Sequence, residues 1–128
     1  MLNLTDLIGI PYKDNGRDST GMDCYGLAIE VEKRLGKNLR DVVYDNHDYS
    51  LTDKYAPTLN VKRKENDILN TGDLLEIRLR GELHIGIVLD NKRFIHATRN
   101  QGVRISLIAN YPINSVYEVI SDGINQSI

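Results

Sequence analysis

The chain has 128 residues, 41% of them hydrophobic and 27% charged, a balance that argues for one globular domain over residues 1–128 and against disorder. Its 16 basic and 18 acidic side chains leave a formal charge of −2, which excludes a surface built for broad phosphate neutralisation and speaks against nucleic acid as partner. No run of about 18 apolar residues is present to span a membrane, the start Met1-Leu2-Asn3-Leu4-Thr5-Asp6 lacks the character of a secretory signal, and a lone cysteine excludes an intramolecular disulfide.

Residues 1 to 22 open on Leu4, Leu7, Ile8 and Ile10 and continue into a polar loop from Lys13 to Gly21, rich in turn residues. From Asp23 the spacing becomes helical. Cys24, Leu27, Ala28, Val31 and Leu35 form one stripe, Asp23 is placed to cap it and Gly36 to end it, which predicts a helix over about 24–35. Residues 37–70 show no clear period; Tyr44, Tyr49 and Tyr55 read as packing and Lys62-Arg63-Lys64-Glu65 as a solvated face. After Gly72 the pattern predicts short strands near 74–79, 83–89, 93–97, 103–107 and 115–120, an antiparallel meander in an α+β order.

Three side chains carry candidate chemistry. Cys24 falls in the first turn of the helix, where unpaired N–H groups favour a thiolate, and the loop before it leaves the sulfur open to solvent. His84 and His96 lie on neighbouring strands. A two-residue Asp90-Asn91 turn would pair residue 84 with 97 and split the histidines between faces; a three-residue loop puts both on one face and needs a left-handed residue, which Asp90 or Asn91 tolerates. Gly86 then leaves room beside them. A thiol, an imidazole that takes its proton and a polar group that orients the imidazole form the general nucleophilic arrangement. The same three residues, with His47 as a fourth, also form a zinc set, but without any closely spaced ligand pair, so neither metal nor other cofactor is expected.

In order and spacing, Gly9-Ile10-Pro11-Tyr12, Gly21-Met22-Asp23-Cys24-Tyr25-Gly26-Leu27, Thr71-Gly72-Asp73-Leu74-Leu75 and His84 through Ala97 resemble the NlpC/p60 family of papain-like cysteine peptidases, over roughly residues 8 to 120. The resemblance implies a papain-like α+β fold, with the Cys24 helix packed on an antiparallel sheet of about five strands and 37–70 as a variable insertion. It implies Cys24 as a preformed thiolate nucleophile, His84 as base, His96 as the residue orienting His84, and Tyr12 at the oxyanion site. Substrate-binding positions would be Asp23, Tyr25 and Gly86. The implied reaction is hydrolysis of an amide in peptidoglycan stem peptides, usually the D-γ-glutamyl–diamino acid bond. Two departures stand out: Asn15-Gly16 replaces a glycine pair, a turn that Asn still permits, and Tyr25 replaces the usual serine.

The large aromatic after the cysteine is similar to versions in bacteriophage tail proteins, which implies phage or prophage origin, synthesis in the cytoplasm and tail proteins as partners. The alternative is a phage tail-assembly or structural protein with weak or dispensable hydrolysis. A third reading keeps the triad but uses it as an amidase or acyltransferase. The face bearing His84 and His96 is expected against the N-terminal end of the helix, and the Ile85, Ile87 and Ile95 face is expected to be covered by the sheet curling into a partial barrel.

Overall fold

The computed structural model describes residues 2–46, 48–51 and 59–120; Tyr55 and His47 lie outside them. A 3-10 turn at Thr5–Leu7 buries Leu7, and the following segment bonds to a strand far along the chain, Gly9 N–H to Val103 O and Val103 N–H to Ile10 O, both at 2.9 Å. A small ribbon follows, β1 (Arg17–Asp18) against β2 (Gly21–Met22). Asn15, in the turn leading into it, has φ of 58°, the left-handed conformation that Asn tolerates.

Helix α1 (Cys24–Arg34) starts where the Asp23 carboxylate accepts the Gly26 N–H at 2.7 Å. It ends in a Schellman arrangement, with Gly36 at φ of 83°, Gly36 N–H on Lys33 O at 3.0 Å and Lys37 N–H on Glu32 O at 2.8 Å. Of the predicted apolar stripe, Cys24, Leu27, Ala28 and Val31 are buried on the helix, and Leu35 follows it as a half-buried C-cap.

Six strands form the main sheet: β3 (Val61–Arg63), β4 (Leu74–Leu79), β5 (Glu82–Val88), β6 (Arg93–Thr98), β7 (Gly102–Leu107) and β8 (Ile113–Val119), in the order β3-β8-β4-β5-β6-β7 with every pair antiparallel. The expected meander covers only β4 to β7. β8 instead returns to the other side of β4, and β3, unforeseen in the sequence, pairs outside it. Lys62 and Arg63 are exposed on that outermost strand, as suits an edge, while Lys64 buries its ammonium on Asp73 at 2.8 Å.

The link from β7 to β8 crosses the sheet with five residues, three of them in a 3-10 turn at Ile108–Asn110. A flat sheet would hold those strands about 19 Å apart, four spacings of ~4.8 Å; a turn at about 2 Å per residue falls short of that, so the sheet curls. The crossing lays Ile108 and Tyr111 over one face, where they join Leu69, Leu75, Ile77, Val88, Phe94, Ile113 and Val116. The helix covers the other face, packing Cys24, Leu27, Ala28 and Val31 with Leu74, Ile85, Ile87, Ile95 and Ala97. This corrects the expected placement: α1 lies on the isoleucine face and not on the histidine face, because the odd-numbered positions of β5 and β6 supply the continuous apolar row that the helix stripe needs. Leu39, Tyr44, Tyr49, Leu51 and Leu59 are buried in the helix-side core.

Glu32 is fully buried on α1, and neither carboxylate oxygen has a hydrogen-bond partner among the described residues. Burial pushes its carboxyl up to about 8, opposed by Lys37 and reinforced by Asp73. A folded-state value above the unfolded one of about 4.3 makes the protonated form the stabilised one, so stability is full below the unfolded value and falls as pH rises toward 8. The buried neutral histidines act on parent and variant alike, so the difference isolates Glu32: Glu32→Gln should match the parent in urea denaturation at pH 4 and exceed it by about 1–3 kcal/mol at pH 8. A difference that does not grow with pH over this range contradicts the assignment.

Candidate active site

The turn between β4 and β5 uses Arg80 and Gly81, both left-handed at φ of 53° and 82°, as a two-residue hairpin requires, and fixes Ile77 opposite His84. β5 and β6 pair Ile87 with Ile95 and Val88 with Phe94, a register in which the even-numbered His84 and His96 share one face. His84 Nε2 lies 2.8 Å from His96 Nδ1. The hairpin thus carries the three-residue loop that a shared face demanded, but without a left-handed residue: among the described residues only Asn15 and Arg80 have positive φ outside glycine. The Asp90 carboxylate closes the loop instead, accepting Lys92 N–H at 2.9 Å and Arg93 N–H at 2.8 Å.

His96 is 1% exposed, with Phe94 and Tyr111 ring centroids at 4.5 and 5.4 Å and its Nε2 2.8 Å from Ser106 Oγ. Burial pulls the His84 imidazole down to about 4, helped by the Arg99 charge. Burial, His84 and Arg104 pull His96 down to about 3. Both rings are neutral near pH 7.

Cys24 occupies the first position of α1 and is fully buried. Burial pushes its thiol up; the N–H groups of Ile85, Cys24 and Tyr25 oppose this, and the Asp23 carboxylate adds to it. The expected solvent-open thiolate is therefore not the resting state, because desolvation outweighs the helix N-terminus. Ile85 is the strand residue next to His84.

The residue before Cys24, Asp23, ties three parts of the chain to this helix end. Its carboxylate is wholly buried and accepts four donors: Asn15 N–H at 3.0 Å, Arg17 Nη1 at 2.8 Å, Gly26 N–H at 2.7 Å and Tyr49 O–H at 3.1 Å. Tyr49 spends its only proton on Asp23, so at 2.9 Å the Tyr12 hydroxyl donates to the Tyr49 oxygen. Both tyrosines lie close enough to Cys24 for its charge to raise their hydroxyls, after the larger effect of burial.

These tyrosines and the histidines line one cleft of about 530 Å³ with Thr98, Arg99, Arg104 and Tyr111. Arg99 stacks over Tyr12 at 4.6 Å. Four sequence candidates are not in the cleft's wall, the fully buried Cys24 among them. Asp23 is spent on its four donors. Tyr25 is buried, its hydroxyl donating to Arg40 O and its ring 5.4 Å from that of Tyr44. At Gly86 the expected room is filled by Phe94, since an added Cβ would meet Phe94 Cδ2 at 2.4 Å. Tyr49 and Ser106 were missed. Ser106 was findable, as an even-numbered position on the strand beside His96; Tyr49 sits in an aperiodic segment that gives no signal. Among the described residues no cluster of three or more His, Cys, Asp or Glu side chains is arranged to hold a metal ion.

The profile of the NlpC/P60 family matches residues 9–121. The chain is 28% identical over 103 residues to the murein DD-endopeptidase MepS/murein LD-carboxypeptidase of Escherichia coli K12, covering 79% of this chain and 49% of that protein, so it spans about half the length of that relative. In fold it is similar to the NlpC/p60 domain of the peptidoglycan hydrolase SagA, with a TM-score of 0.60 and 21% identity over 88% of this chain and 89% of that one. It is likewise similar to a lipoprotein-like NLP/P60 protein of Staphylococcus aureus Mu50, with a TM-score of 0.64 and 22% identity over 93% and 39% of the two chains. The α+β arrangement of one helix on an antiparallel sheet is the one these structures share.

The burial of Cys24 has a direct readout. At pH 7.5 the folded chain should react with iodoacetamide at least about ten-fold slower than the urea-unfolded chain. Equal rates would contradict the covered sulfur.

Proposed function

The chain belongs to the NlpC/P60 family, and on that premise we propose that it is a cysteine peptidase hydrolysing an amide bond in peptidoglycan stem peptides, with the D-γ-glutamyl–diamino acid bond as target. The observation that carries this reading is the 2.8 Å His84–His96 pair on the cleft wall, and the N–H that opposes the rise of the Cys24 thiol is that of Ile85, the residue next to His84. The name of the Escherichia coli relative, a murein endopeptidase and carboxypeptidase, supports the substrate class.

In the proposed reaction His84 takes the Cys24 proton as the sulfur attacks the scissile carbonyl carbon. With a thiol raised by burial and imidazoles lowered by it, transfer and attack run together, and no thiolate accumulates beforehand. His96 orients His84. The carbonyl oxygen gathers charge, which the Cys24 backbone N–H and the Tyr12 hydroxyl, turned from Tyr49, stabilise. His84 then gives its proton to the leaving amine. Water, deprotonated by His84, cleaves the thioester and the proton returns to Cys24. Substrate entry must first part the Tyr12–Tyr49 pair from the sulfur.

One observation favours a second reading. A nucleophile fully covered at rest suits a tail-assembly protein of phage or prophage origin whose hydrolysis is weak, with tail proteins as partners; the Tyr25 aromatic that suggested this class packs with Tyr44 and Arg40 and helps to hold the cover in place.

Soluble muropeptides incubated with the chain and read by mass spectrometry decide between them. The peptidase reading predicts cleavage that assigns the bond, with Cys24→Ala and His84→Ala reduced at least about 10³-fold. No cleavage by a folded parent chain would remove that reading in favour of the assembly protein.

A further inference from the structure

A histidine base works only if the hydrogen bond behind it runs in the right direction. His84 spends Nε2 on His96, which leaves Nδ1 as the nitrogen for the thiol proton. Once His84 carries both protons its Nε2–H must donate, so His96 must accept at Nδ1. A neutral imidazole has one N–H, and with Nδ1 accepting, the His96 proton sits on Nε2. That N–H belongs to a side chain 1% exposed, where an unpaired donor is costly.

Its partner is Ser106 Oγ at 2.8 Å. Arg104, directly across the strands from His96, has only donors and cannot take the proton. Phe94 and Tyr111 wall the ring on its other sides and oppose a flip. Ser106 is half-buried and borders a shallow surface pocket with Arg104, Leu107 and Asn110, so its own O–H has solvent to donate to while its oxygen faces His96. The reverse chain, with Ser106 donating to Nε2 and His96 Nδ1–H to His84, would leave the His84 proton on Nδ1, where the base needs a lone pair.

We propose that Ser106 is a positioning residue for the hydrolytic reaction: its hydroxyl oxygen accepts the His96 Nε2–H and thereby fixes the tautomer in which His84 can move a proton between the Cys24 thiol and the leaving amine. This rests on the roles given above to Cys24 and His84. Ser106 touches no substrate atom, and it acts through His96 alone. The requirement is a hydroxyl at that place, so threonine satisfies it and the isosteric valine does not.

The test uses the full chain with Ser106→Ala, Ser106→Val and Ser106→Thr, each matched to the parent by circular dichroism. Two readouts are taken: muropeptide kinetics, and the ring-nitrogen NMR spectrum of 15N-histidine-labelled protein. The alanine and valine variants should lose about ten-fold in kcat at unchanged KM, with threonine within about two-fold of the parent. The parent and threonine spectra should show His96 protonated at Nε2 with a lone pair at Nδ1, and the alanine and valine spectra a mixed or reversed tautomer. If alanine unfolds, the valine–threonine pair carries the comparison. A parent His96 protonated at Nδ1, or valine and alanine variants with parental kcat and an unchanged tautomer, overturns the proposal. If the parent cleaves no stem peptide, the peptidase reading fails, while the nitrogen spectra still decide the tautomer.

Discussion

The carboxylate of Asp23 is the constraint on which the site depends. A wholly buried anion is tolerable only when its lone pairs are filled, and here they are filled by four donors from three parts of the chain. The Gly26 N–H starts the helix at Cys24. Asn15 and Arg17 draw the preceding loop against that helix end, so closely that a Cβ on Gly26 would meet Gly16 O at 2.2 Å. Tyr49 brings in a segment from beyond the helix and links Tyr12 to the same network. Arg17 extends the same network outward to Asp41 and to Val42 O. Removing one donor would leave part of a buried charge unanswered, so helix start, loop and tyrosine pair hold or fail together.

The curled sheet then sets two unlike faces to work. One, built on Ile85, Ile87 and Ile95, is the bed for the helix and fixes the depth of Cys24. The other carries His84, His96 and Ser106 in line, stiffened by Phe94 and by Tyr111 from the crossing segment. The Ile85 N–H, which opposes the rise of the Cys24 thiol, belongs to the strand residue next to His84. Burial pushes the thiol up and both imidazoles down, which favours the neutral form of all three groups at rest.

Much of this was legible in the sequence, and for physical reasons. The α1 stripe, its Asp23 cap and its Gly36 stop are local rules, as is the alternation that gave the strands. Parity alone required a three-residue loop if the two histidines were to share a face. What escaped depends on long-range partners. β3 is short and charged because it is an edge strand, so it mimics a solvated loop. β8, four strand spacings from the β7 that precedes it in the chain, pairs with β4, which no local pattern encodes. The helix chose the face with the longer apolar row over the face with the chemistry. Cys24 was expected open because a loop precedes it, yet it is fully buried, and its neighbour Asp23 is bonded by Tyr49, a residue from a segment with no period. Tyr25 and Gly86 carried a resemblance in position, while their surroundings assign them to packing.

The claim that a covered Cys24 is nonetheless the reacting group is tested most directly with a stem peptide bearing a fluoromethyl ketone at the scissile carbonyl, followed by intact-mass and peptide mapping. Saturable labelling of Cys24 at least about 10²-fold faster than by iodoacetamide is the expected result, since only a cleft-bound peptide parts the tyrosines and presents its carbonyl to sulfur and His84. Labelling no faster than by iodoacetamide, or without saturation, would contradict it and leave Cys24 as a buried core thiol.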